Sequence, residues 1–103
     1  MHKYLLFVVL FLTSCANQSK TTYTRFEPFT SQSGAQSFKY FSKSDRFNPA
    51  YDKASEDERM EWLNMWLSDN HLCKYGYVLS ERKEVDLGYG DAVKDIYYTG
   101  TCK

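Results

Sequence analysis

Residues 55–70 read SEDERMEWLNMWLSDN, and this stretch limits the fold more than any other. Ser55 followed three places later by Glu58 has the form of a capping box: the hydroxyl accepts from the Glu58 N–H and the Glu58 carboxylate reaches back. Glu56, Asp57 and Glu58 put negative charge where the helix dipole is positive. Trp62, Leu63, Trp66 and Leu67, with Met65 beside them, then form an apolar stripe at helical spacing. Asn70 is a stop signal. The pattern predicts a helix over residues 56–70 whose stripe must be covered. Two tryptophans on one stripe also suit a sugar-stacking platform, but a small core needs large aromatics on the inner face of its helix, and that reading is preferred.

The chain has 103 residues, enough for one domain. Its 13 basic and 13 acidic side chains balance, whereas a nucleic-acid binder carries a basic excess or stripe. Nine Tyr, seven Phe and two Trp can bury a core and do not fit a disordered chain.

The chain opens MHKYLLFVVLFLTSC. A short cationic start precedes the apolar run 5–12, which is too short for the roughly 20 residues of a membrane-spanning helix but matches the apolar region of a secretory signal. Leu12-Thr13-Ser14-Cys15 resembles the lipobox of bacterial lipoproteins. The resemblance implies that the Cys15 thiol carries diacylglycerol, that residues 1–14 are a signal peptide and are removed, and that the new amino terminus is acylated. Each buried CH₂ contributes about 0.8 kcal/mol, so two or three acyl chains hold a protein stably in a bilayer. Ala16 follows the cysteine, where an Asp is the family's inner-membrane retention signal. That implies an outer-membrane address, the domain facing the periplasm.

Ala16 to Thr22, ANQSKTT, has no apolar side chain larger than Ala and reads as a flexible spacer, making residues 15–22 a lipidated tether. From Tyr23 the chain turns aromatic. YTRFEPF and SFKYFSK flank Ser31-Gln32-Ser33-Gly34, a turn signal. A β-hairpin is expected, residues 22–29 with 37–43, Pro28 confining its first strand to a sheet edge. Arg46-Phe47-Asn48-Pro49 reads as a turn.

With Cys15 taken by lipid, the lipoprotein resemblance leaves Cys73 and Cys102 as a disulfide, since export makes a bridge the expected state. If the two face each other across an antiparallel pair, Tyr75 meets Gly100, Tyr77 meets Tyr98, Leu79 meets Ile96, Glu81 meets Lys94 and, on the other face, Val78 meets Tyr97. These are favourable cross-strand pairs, and the turn falls at Leu87-Gly88 within DLGYGD. Cys73, Gly76-Tyr77, Arg82 and Tyr98-x-Gly100-x-Cys102 also resemble the carboxy-terminal half of small uncharacterised proteobacterial lipoproteins. That resemblance supports the bridge and implies no activity.

Chemistry-bearing residues are sparse. His71 is the one histidine after residue 14. With Cys73 and Cys102 it would make three metal ligands, but zinc sites want a fourth ligand and short paired spacings, so no metal and no other cofactor is expected. A catalytic triad would have to use His71, and no cysteine is left as nucleophile. Gly88-Tyr89-Gly90 reads as a hairpin turn, not a phosphate loop. Asp86, Asp91 and Asp95 could pair as carboxylates, yet turns collect acids, and a domain this size has little room for a deep pocket.

The expected fold is α+β: an antiparallel sheet of three to four strands packed by one amphipathic helix, over residues 23–103. The expected function is a non-enzymatic, membrane-anchored accessory or binding protein of the periplasm. Its partners would be the membrane, through the lipid, and an envelope protein, with no nucleic acid. Tyr75, Tyr89 and Tyr97 are its candidate contact residues. The rival readings are an inhibitor or immunity lipoprotein, acting on a periplasmic hydrolase or toxin, and a small envelope hydrolase.

Overall fold

The computed structural model describes residues 22–103. The expectations for the signal peptide, for Cys15 and for residues 15–21 of the tether lie outside the described residues. Strands β1 (Thr24–Thr30) and β2 (Gln36–Lys43) are followed by helix α1 (Lys53–Asp69) and strands β3 (Tyr77–Asp86) and β4 (Lys94–Cys102). The sheet is antiparallel throughout, in the order β1-β2-β4-β3. The chain forms one hairpin, crosses the sheet through α1 to the far edge, and returns into the gap as β4. Among the described residues the α+β expectation is met, with a four-strand antiparallel sheet, one helix and the Cys73–Cys102 disulfide.

β1 is an edge strand, as Pro28 requires. Along β2 and β4 the residues facing α1 alternate with those facing away: Phe38, Tyr40 and Ser42 pair with Gly100, Tyr98 and Ile96 on the helix side. Phe38, Tyr40, Ile96 and Tyr98 meet Leu63, Leu67 and Ala50 in the buried core. Trp66 stacks on Phe26 at 5.8 Å, Phe26 on Phe38 at 5.7 Å, and Phe38 meets the edge of Tyr77 at 5.6 Å. This aromatic row runs across all but the β4 strand, where Gly100 makes room for the Phe38 ring; a Cβ there would lie 2.4 Å from Phe38 Cζ. Trp62 and Trp66 are both partly buried against the core. The Trp66 indole N–H donates to Thr24 Oγ1 at 2.8 Å.

Three sequence expectations are corrected. The helix begins earlier than the capping box implies. Asp52 is the N-cap, its carboxylate accepting from the Ser55 N–H and hydroxyl at 2.9 Å each. Ser55 sits inside the first turn and is buried, because it opens the i, i+4 row Ser55, Arg59, Leu63, Leu67 that faces the sheet.

The β3–β4 register differs as well. Cys73 lies before β3, with φ 55°, in a turn closed by the Gly76 N–H on the Cys73 carbonyl. The bridge therefore joins the helix exit to the end of β4, with 4.7 Å between the Cα atoms, and is not a rung of the hairpin. Cys102 pairs with Tyr77, and Leu79 with Gly100 rather than Ile96. An irregularity between Leu79 and Glu81 then adds one residue, so Arg82 pairs with Tyr98 and Glu84 with Ile96. Such a bulge re-aims side chains, and here Arg82 is turned onto the helix side. The turn moves with the register: the last pair is Asp86 with Lys94, and the loop is centred on Gly90, not on Leu87-Gly88.

Candidate functional site

Among the described residues, three surfaces concentrate polar or aromatic side chains: a charged cluster at the helix start, the sheet face away from the helix, and one end of the sheet where two loops meet.

The cluster is built by the i, i+3 spacing of Glu56 and Arg59 and by the bulge that aims Arg82. Glu56 Oε1 accepts from Arg59 Nε at 3.0 Å and Arg82 Nη2 at 3.0 Å. Its Oε2 accepts from Arg82 Nε at 3.1 Å, and the Tyr98 hydroxyl donates to the same carboxylate at 2.8 Å. Arg59, only 1% exposed, also donates to the carbonyls of Asn48, Pro49 and Ala50, pinning the β2–α1 loop. Burial opposes the charge on Glu56, but the bonds from Arg82, Tyr98 and Arg59 outweigh it and hold the carboxyl below the usual range. Burial and the Glu56 hydrogen bond push the Tyr98 phenol well above its ordinary value. A carboxylate so held is a weak base and, staying ionised, carries no proton to donate. The cluster can lock a loop, a helix and a strand together, and is ill suited to moving protons.

The outer sheet face borders an open cavity of about 1020 Å³. Arg25, Phe41, Tyr97 and Lys83 form one cross-strand row, and Glu27, Lys39, Thr99 and Glu81 the next. The Arg25 guanidinium lies over the Phe41 ring at 4.3 Å, and Tyr97 packs on its other neighbour side at 5.1 Å. This covers Phe41 to 8% exposure while Tyr97 stays 41% exposed. The face is mixed in charge and aromatic at its centre.

At the sheet end where β1 starts, β2 stops and the β3–β4 loop turns, two loops are joined. The Ala50 N–H donates to the Ala92 carbonyl, and the Ser44 hydroxyl donates to the same carbonyl at 2.8 Å. They present Phe47 (92% exposed), Tyr51 (73%), Tyr89 (75%) and Leu87 (42%) to solvent. Asp45 Oδ1 accepts from the N–H groups of Phe47 and Asn48 at 2.9 and 2.8 Å, which fixes the turn carrying Phe47.

The three tyrosines singled out from sequence lie on three parts of the domain. Tyr97 is on the outer sheet face. Tyr89 is in the β3–β4 loop. Tyr75 is in the turn before β3, at the opposite end of that strand. Phe47 and Tyr51 were missed; the signal was a large apolar residue inside a turn motif, Arg46-Phe47-Asn48-Pro49, where no core can reach it. His71 is exposed beyond the helix, and both sulfur atoms near it are spent in the bridge.

No protein-family model matches the sequence, and no curated protein or solved structure matches it either.

Proposed function

We propose that this chain is a lipid-anchored accessory protein of the bacterial envelope that works by binding a partner protein and not by catalysis. The observation that carries the reading is the division of the cysteines. The sequence has three, Cys73 and Cys102 bond to each other, and the remaining one, Cys15, closes the lipobox-like segment. Bridges of this kind persist in oxidising compartments, which agrees with export to the periplasm.

The binding half of the proposal draws on the outer sheet face. Phe41 and Tyr97 lie between Arg25 and Lys83, with acids of the next row beside them, and both charge signs favour a protein partner over a polyanion. The non-catalytic half draws on Glu56, whose two guanidinium partners keep it charged and occupied.

The test is cross-linking in native membranes followed by capture of the tagged full chain, for wild type and for Tyr97→Ser. A stoichiometric envelope protein captured by the wild type and lost in Tyr97→Ser supports the proposal. Recovery of a lytic enzyme or toxin whose activity is lost on binding supports an inhibitor instead. Turnover of peptidoglycan or ester substrates that disappears in His71→Ala would overturn the non-catalytic reading.

A further inference from the structure

The exposed aromatics at the loop end have an occupant that the path of the chain points to. β1 begins at Thr24, which pairs with Ser42. Ser42 is one residue from the end of β2, and Ser44 is bonded to Lys94 at the start of β4. The chain therefore enters the sheet at the end that carries Phe47, Tyr51, Leu87 and Tyr89. Nine residue steps separate Cys15 from Thr24, and covalent geometry limits them to about 30 Å however they run. The opposite end of β1 lies roughly 20 Å farther on. It carries the polar hairpin Ser31-Gln32-Ser33-Gly34 and one exposed aromatic, Tyr75.

We infer that the loop end of the sheet rests on the bilayer that holds Cys15, with Phe47, Tyr51 and Tyr89 seated in the headgroup region. The inference rests on the lipid-anchor reading and adds an orientation to it. The tyrosine rings, apolar with one polar edge, favour that region, and Phe47 adds exposed apolar surface beside them. The loop end mixes acids (Asp45, Asp86, Asp91) with bases (Lys43, Arg46, Lys94), so seating is apolar and needs no anionic lipid. It leaves the outer sheet face standing off the membrane and free for a partner.

The experiment uses the full lipidated chain in phosphatidylcholine nanodiscs, with Cys15 acylation checked by intact mass, and reads backbone amide signals with and without a gadolinium-chelating lipid. The expected result is loss of signal at residues 45–51 and 87–91, with residues 31–35 and 74–76 retaining theirs. The triple variant Phe47→Ser/Tyr51→Ser/Tyr89→Ser should lose this contrast at an unchanged unfolding midpoint, since all three side chains are exposed. Uniform loss, or loss centred on residues 31–35, in an acylated wild-type sample overturns the orientation and leaves the anchor standing. An unmodified Cys15 overturns the anchor, and the orientation with it.

Discussion

Arg59 sits where the helix pattern asks for an apolar residue, four places before Leu63, and is nevertheless almost fully buried. Its guanidinium is satisfied by Glu56 and by three loop carbonyls. Glu56 keeps Arg82 and Tyr98 without it, but the Asn48 and Pro49 carbonyls lose this donor, so Arg59→Met should lower the unfolding free energy by about 1–3 kcal/mol in urea titration. Arginine in a helix reads as surface, and only the carbonyls brought up by the β2–α1 loop make the buried site, which is why sequence did not reveal it. Gly100 was hidden for a similar reason, since its role depends on Phe38 across the sheet. Gly100→Ala should cost about 1–3 kcal/mol by overpacking, and less in a Phe38→Leu background, a coupling that a double-mutant cycle would measure. His71 holds φ 56° just past the helix, its N–H on the Ser68 carbonyl while Leu72 N–H reaches the Leu67 carbonyl. That is the position of glycine in a Schellman motif. His71→Gly should therefore raise stability by about 0.5–1 kcal/mol, the relief of left-handed strain less the entropy of glycine.

Elements were more legible than single residues. The apolar stripe at 62, 63, 66 and 67 announced the helix, the aromatic runs on either side of Ser31-Gln32-Ser33-Gly34 announced the first hairpin, and Pro28 placed its edge. What failed was register. The β3–β4 pairing expected from sequence makes the bridge a rung, but Cys73 occupies a turn, and the residue added between Leu79 and Glu81 aims Arg82 at Glu56, a long-range contact that local pattern does not encode. The start of the helix failed because Asp52 and Ser55 are both good caps and the burial of Ser55 decides between them. Thermal unfolding should accordingly fall more for Asp52→Ala than for Glu58→Ala. The bridge closes a loop across 29 residues of sequence. Replacing both cysteines by serine should cost roughly 3.5 kcal/mol on the chain-entropy account, with the helix exit and the end of β4 opening first in hydrogen exchange.

At the scale of the whole molecule, the Glu56 cluster links helix, loop and edge strand, and it makes stability depend on acid. The folded carboxyl lies below its ordinary 4.5, so its contribution is complete above that pH and is lost as pH falls through the folded value. Asp52 and Asp86 are shifted in the same direction, by bonds from Ser55 and from the Gly88 N–H respectively. The unfolding midpoint should drop steadily below about pH 4.5, and more shallowly in Glu56→Gln. Among the described residues the fold thus supplies a stapled domain with one sheet face covered by the helix, the other uncovered, and an aromatic end beside the start of β1. On the proposed function, what such a domain does depends on where it is held, and so on acylation of Cys15. Intact mass of the protein extracted from membranes tests that directly. The account predicts a chain starting at Cys15, carrying fatty acyl mass and lighter by two hydrogens than its reduced form. A product retaining residues 1–14, or one with an unmodified Cys15, would contradict it.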